Sequence, residues 1–134
     1  MTKYLFDTNI CIFDLRGKFN LNTRIKKAGG FANCLISEIT IAELKYGAEL
    51  SNRILKNMLL IDELIQKVSI LPIFNGIGLF AKEKARLKRL GILIDDFDLL
   101  IGCSAVANHL VLVTENVNHF NRIENIIIEN WIVR

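Results

Sequence analysis

Three acidic residues far apart in the chain, Asp7, Glu43 and Asp98, occupy places where a carboxylate needs an answering charge. Asp7 ends the apolar run "YLF" and is followed almost at once by the apolar "NICIF". Burying an isolated carboxylate is expensive, so an acid at the tip of a core strand calls for a helix N-terminus, a cation or a metal. Glu43 lies in "SEITIAELKYGAEL", about two helical turns past Ser37, and Asp98 lies near the start of the otherwise apolar "DDFDLLIGCSAVA". Taken singly, Asp7 and Asp98 read as helix-start acids favoured by the macrodipole, and Glu43 as a solvated helix residue. Taken together, they form a cluster that repels itself unless a cation is bound. All-oxygen ligands select hard ions such as Mg²⁺ or Mn²⁺, which keep several waters and are completed by substrate phosphates. The chemistry this points to is metal-assisted hydrolysis of a phosphodiester.

Such a cluster forms only if the fold gathers these segments. Apolar runs at residues 4–6, 34–36, 68–71, 110–113 and 126–128 have the length and composition of buried parallel strands. Helix-patterned stretches separate them. Residues 38–50 place Ile39, Ala42, Tyr46 and Glu49 near one face, and residues 76–90 place Ile77, Ala81 and Ala85 on another. Gly29-Gly30, Gly91 and Pro72 punctuate the boundaries. The alternation predicts a single three-layer α/β/α domain around a central, mostly parallel sheet of about five strands. In such a sheet, ligands bind beyond the carboxyl ends of the strands where strand order reverses. The segment Thr114-Glu115-Asn116, after the fourth strand, belongs to that end. Strand period two turns Asn116 and Thr114 toward the cleft and Glu115 away.

Residues 53–68 carry a wide apolar stripe, with Ile54, Met58, Ile61, Ile65 and Val68 in line and Leu55, Leu59, Leu60 and Leu64 beside them. Burial on two sides of the core and a protein-binding surface around Met58 and Ile61 both account for it.

The chain has 134 residues, 51% of them hydrophobic and 23% charged, which suits one domain with a substantial core and excludes disorder. Cys11, Cys34 and Cys103 are odd in number and outside any C-x-x-C spacing, so they read as reduced core residues. No apolar run approaches the roughly 20 residues of a membrane span, and no basic segment followed by a cleavable apolar one opens the sequence. A cytoplasmic location is expected.

The net charge of +3 permits a nucleic-acid partner without requiring one. Lys82, Arg86 and Arg89 share one helix face, with Lys84 and Lys88 beside them, which suits either a solvated face or contact with RNA phosphates. His119, in "NHF", reads as structural or exposed, and there is no G-x-S-x-G, P-loop or G-x-G-x-x-G.

Four ordered segments, "YLFDTNICI", "SEITIAELKYGAE", "IDDFDLLIGCSAVANHLVLVTENVNHFNRI" and "IENW", resemble the signatures of VapC toxins, the PIN-domain ribonucleases of bacterial toxin–antitoxin pairs. The resemblance runs nearly end to end and implies one PIN domain over residues 1–134. It implies that Asp7, Glu43 and Asp98 hold Mg²⁺ or Mn²⁺. Asn116 stands where many members carry a fourth acid, and Thr8, Asn9 and Thr114 match polar residues that support the site. Asp96 has no fixed counterpart. The resemblance further implies cleavage of a structured RNA, transfer or ribosomal, together with a homodimer and a VapB-type antitoxin that blocks the site. A non-cleaving PIN-like module that binds RNA or protein is the alternative; intact acids at all three principal positions argue against it. An unrelated doubly wound phosphoacceptor domain would lack the "ENW" ending and the match around "TIAELKYG".

Overall fold

Tyr4-Leu5-Phe6, Cys34-Leu35-Ile36 and Val111-Leu112-Val113 are apolar on both faces, and both faces are covered. The computed structural model describes residues 1–134. Its strands are β1 (Tyr4–Phe6), β2 (Cys34–Ser37), β3 (Ser69–Leu71), β4 (Val111–Val113) and β5 (Ile128–Glu129). All pair in parallel, in the order β3-β2-β1-β4-β5. The helices are α1 (Thr8–Leu15), α2 (Leu21–Lys27), α3 (Glu38–Leu50), α4 (Ile54–Lys67), α5 (Ile77–Arg89), α6 (Asp96–Ala107) and α7 (Val117–Phe120). No helix is long and apolar enough to cross a membrane.

Alternate strand residues divide the core in two. Phe6, Ile36 and Val113, neighbours across the sheet, pack with α1 to α4 and with Trp131, whereas Leu5 and Leu112 pack with α5 to α7. This is the expected α/β/α sandwich with five strands. The chain builds outward from β1 to β2 and β3, then returns to place β4 on the other side of β1. Strand order therefore reverses between β1 and β4, and a crevice opens beyond their carboxyl ends.

Two helices turn a different face inward from the one their apolar spacing suggests. In α3 the buried residues are Thr40, Leu44 and Ala48, while Ala42, Tyr46 and Glu49 are exposed. Thr40 displaces the apolar stripe because its hydroxyl lies 3.2 Å from that of Thr8. In α5 the buried pair is Glu83 and Leu87, whereas Ile77 and Ala81 are exposed and Ala85 half-buried. Glu83 can face inward because it accepts two hydrogen bonds from the Arg86 guanidinium, at 2.9 and 2.8 Å, and one from the Glu124 N–H. Helix α5 then closes on Gly91 at φ +72°, with the Gly91 and Ile92 N–H groups bonded to the Lys88 and Leu87 carbonyls.

Helix α4 buries only Ile61 and Leu64. Met58 and Ile65 are half-buried, and Ile54, Leu55 and Leu59 face solvent. The surplus apolar surface is real, but its most exposed part, Leu55 and Leu59, lies on the flank away from Ile61, and Ile61 itself is buried and not available to a partner.

Candidate active site

Asp7 follows β1 directly and caps α1, its Oδ1 accepting the Ile10 N–H at 2.9 Å. Its other oxygen accepts a 2.5 Å hydrogen bond from the Thr114 hydroxyl, which in turn accepts the Asn116 N–H. The carboxylate is thus fixed from both sides of the reversal point, by the helix leaving β1 and by the turn leaving β4. Burial pushes the Asp7 carboxyl up to about 6. The nearby Asp98 charge acts in the same direction, against the hydrogen bonds from Thr114 and Ile10.

Glu43 reaches the crevice from α3, which starts at once after β2 with Ser37 as its cap. The Thr8 hydroxyl donates to Glu43 Oε1 at 2.6 Å, tying the first turn of α1 to α3. Asp98 stands in the first turn of α6, whose cap Asp95 accepts the Phe97 N–H. Burial raises the Asp98 carboxyl; the His119 imidazole, with Nε2 3.2 Å from Oδ2, lowers it, and the Asp95 charge raises it again.

These groups line one cleft of about 530 Å³, walled by α1, α3, α6 and the turn after β4. Asp7, Thr8, Asn9, Glu43, Asp98 and Asn116 all contribute to it, and Thr114 lies buried behind Asp7. Glu115 does not line this cleft but a smaller hollow beside it, shared with Asp7, Asn9 and Asn116, where Arg134 holds it through both guanidinium contacts and keeps its carboxyl below the usual range. Of the two, Asn116 is the side chain that lines the cleft. The pleat is not the reason, because β4 ends at Val113; the Asp7–Thr114–Asn116 hydrogen bonds set the orientation instead.

Three participants were not singled out from the sequence. Asp95 lines the cleft and caps α6, which an Asp two residues before Phe97 at an apolar helix start could have signalled. Thr40 is fully buried against Thr8, and His119 is not a bystander but the neighbour of Asp98; both depend on tertiary contacts with no local signature. Asp96 pairs with Lys84 outside the cleft. Of the basic residues, Lys82 and Arg89 are exposed, but Arg86 is occupied by Glu83 and the Arg122 carbonyl. Its pairing sets it apart from the exposed Lys82 and Arg89.

No three His, Cys, Asp or Glu side chains converge tightly enough to hold an ion by themselves. The cleft nevertheless fits a hard divalent cation in charge and donor type. It offers carboxylate, amide and hydroxyl oxygens, and two of its carboxyls are held above their ordinary values by burial, a cost that a bound cation relieves. The remaining positions on such an ion fall to water and phosphate.

A three-layer parallel domain with an acidic cleft at its reversal point is the class these features define. The PIN domain family model matches residues 4–126, and the chain belongs to that family. Relatives that it matches over nearly their whole length include VapC proteins. It is 34% identical to the tRNA(fMet)-specific endonuclease VapC of Salmonella typhimurium, over 98% of this chain and 99% of that one. It is 32% identical to ribonuclease VapC2 of Rickettsia felis, over 96% and 97%. Among solved structures it is similar to DNA-bound VapBC from Salmonella typhimurium, with a TM-score of 0.81 at 34% identity, covering 98% of this chain and 99% of that one. It is also similar to VapBC2 from Rickettsia felis bound to a promoter fragment, with a TM-score of 0.85 at 29% identity, covering 97% and 99%.

Proposed function

We propose that residues 1–134 form a single PIN domain acting as a divalent-cation-dependent endoribonuclease, the toxin of a type II toxin–antitoxin pair. The observation that carries this reading is the meeting of Asp7, Glu43, Asp98 and Asn116 in one cleft at the β1/β4 reversal. The VapC relatives support it from an independent direction.

Asp7, Glu43 and Asp98 would hold Mg²⁺ or Mn²⁺. When bound, the ion supplies an activated water and stabilises charge on the phosphoryl oxygens. The chain's own residues keep the donors aimed: Thr114 and the α1 N-terminus for Asp7, Thr8 for Glu43, and His119 for Asp98. Asn116 offers an uncharged amide that orients the attacking water, and Asn9 lines the wall beside it. Lys82 and Arg89 contact RNA phosphates outside the cleft.

The substrate class is structured RNA, transfer or ribosomal, which places the protein in the cytoplasm. A VapB-type antitoxin occupies the groove between α1, α3 and α4, which adjoins the cleft through Ile12 and Glu43, and wraps round α4 to cover the exposed Leu55 and Leu59 on its other flank. The solved VapBC relatives support a toxin that assembles with such a partner; a homodimer within a larger complex is part of the same proposal.

Incubation with total RNA tests the activity. The wild type is expected to cut in Mg²⁺ or Mn²⁺ and to stop in EDTA, and Asp98→Asn is expected to be inert while folded. Cutting in EDTA, or an active Asp98→Asn, overturns the reading; binding without cutting by the wild type favours the non-cleaving module.

A further inference from the structure

The cleft lining contains Asp7, Glu43, Asp95 and Asp98 and no lysine or arginine. Sequence-independent affinity for nucleic acid normally comes from basic side chains on phosphates, and inside this cleft there are none to supply it. What the walls do offer, besides the acids, is two exposed aromatic rings. Tyr46, on α3 three residues beyond Glu43, is 67% exposed, and Phe97, on α6 beside Asp98, is 47% exposed.

A single exposed ring on a protein surface calls for no explanation. Two that stand next to two of the catalytic acids, on different walls of the same cleft, do. Neither stacks on another ring of the chain or carries a cation over its face, unlike Trp131, Phe19, Phe31 and Phe80. Ala42, one turn before Tyr46 on the same wall, is too small to cover that ring.

We infer that Tyr46 and Phe97 are base-stacking residues that receive unpaired nucleobases on either side of the phosphate to be cut. The inference rests on the nuclease reading of the cleft and adds the form of RNA it accepts. An aromatic face binds any base whose own face is free, which holds for loop and single-stranded nucleotides and not for bases stacked inside a duplex. The acids repel the backbone except where a cation bridges it, so the rings fix the bases while one phosphate alone is drawn to the acid cluster. Duplex RNA is excluded because it presents phosphates and no free base faces.

The test is equilibrium binding of a labelled, mixed-sequence single-stranded oligoribonucleotide and of the same strand annealed to its complement, with Ca²⁺ in place of the activating ion. Cleavage in Mg²⁺ is followed in parallel. Tyr46→Ala and Phe97→Ala are each expected to weaken single-strand binding roughly 5- to 150-fold, the range for loss of one stacked base. Tyr46→Phe and Phe97→Trp are expected to keep it, Tyr46→Leu and Phe97→Leu to lose it, and duplex binding to stay weak throughout. Because both positions are exposed, folding survives these changes. Leucine variants that bind like the wild type overturn the inference, as do alanine variants that leave RNA binding intact and instead alter the sedimentation of the free protein. Ring-dependent binding without cleavage supports the stacking role and overturns the nuclease reading, whereas cleavage with ring-independent binding overturns the stacking role alone.

Discussion

Asp7 caps a helix and carries charge into a cleft, and the two roles pull its energetics in opposite directions. Its carboxyl titrates at about 6 in the folded chain against an ordinary 3.8, so the stability it lends is fully present below pH 3.8 and is lost as pH rises through about 6. The loss by neutral pH is roughly 3 kcal/mol in the metal-free protein. Asp7→Asn keeps an acceptor for the Ile10 N–H and removes the buried charge. Metal-free Asp7→Asn should therefore melt above the wild type at pH 7 and close to it at pH 4, while RNA cleavage falls roughly a hundredfold or more. Thermal melts across pH check the first expectation and a cleavage assay the second. Asn116→Ala should lower cleavage roughly tenfold, the worth of one hydrogen bond in the transition state. Glu115→Gln should leave cleavage almost unchanged, because Arg134 already holds Glu115 out of the cleft. At this scale much was legible in the sequence: an acid ending an apolar strand, or opening an apolar helix, is anomalous without any structure. His119 and Thr40 were not legible, since their roles come from contacts across α6 and α1 that no spacing along the chain encodes.

Among the elements, β1, β2 and β4 announced themselves through unbroken apolar runs. Strand β3 begins on the polar, exposed Ser69, and β5 keeps only Ile128 of the run read at 126–128 before ending on Glu129. The inward faces of α3 and α5 did not follow apolar spacing. Polar residues with buried partners decided both cases. Thr40 is drawn in by Thr8, and Glu83 by Arg86 and the Glu124 N–H, so hydrophobic periodicity alone reads each helix rotated from its true setting. Glu83 also ties α5 to the turn after α7, since Arg86 passes on a hydrogen bond to the Arg122 carbonyl. Glu83→Ala leaves the Glu124 N–H without its acceptor, while Arg86 keeps the Arg122 carbonyl and the Glu124 carboxylate, and should cost about 1–3 kcal/mol in denaturant unfolding, with Glu83→Gln costing less. The Glu83 carboxyl is held below its ordinary range by Arg86, so the stability it provides is present above that range and is lost as pH falls through the depressed value.

The whole molecule closes on itself at the strand that starts it. Trp131 packs its ring at 5.1 Å from Tyr4 and 5.5 Å from Phe6, with Arg24 over its face, so the "ENW" ending seals one side of β1. Apolar surface is nevertheless left over on α4, where Leu55 and Leu59 are 81% and 64% exposed. Leu55→Lys and Leu59→Lys should change the free toxin's stability by no more than about 0.5 kcal/mol, while weakening the antitoxin complex tenfold or more in a titration. The central claim is that the three acids at the β1/β4 reversal hold a divalent ion. Mn²⁺ titration followed by electron paramagnetic resonance, which reads the free ion directly, tests it without RNA. One Mn²⁺ should bind the wild type, and binding should be lost in Asp7→Asn, Glu43→Gln and Asp98→Asn but kept in Asp96→Asn. Binding that survives the first three substitutions, or that disappears with Asp96→Asn, contradicts the account.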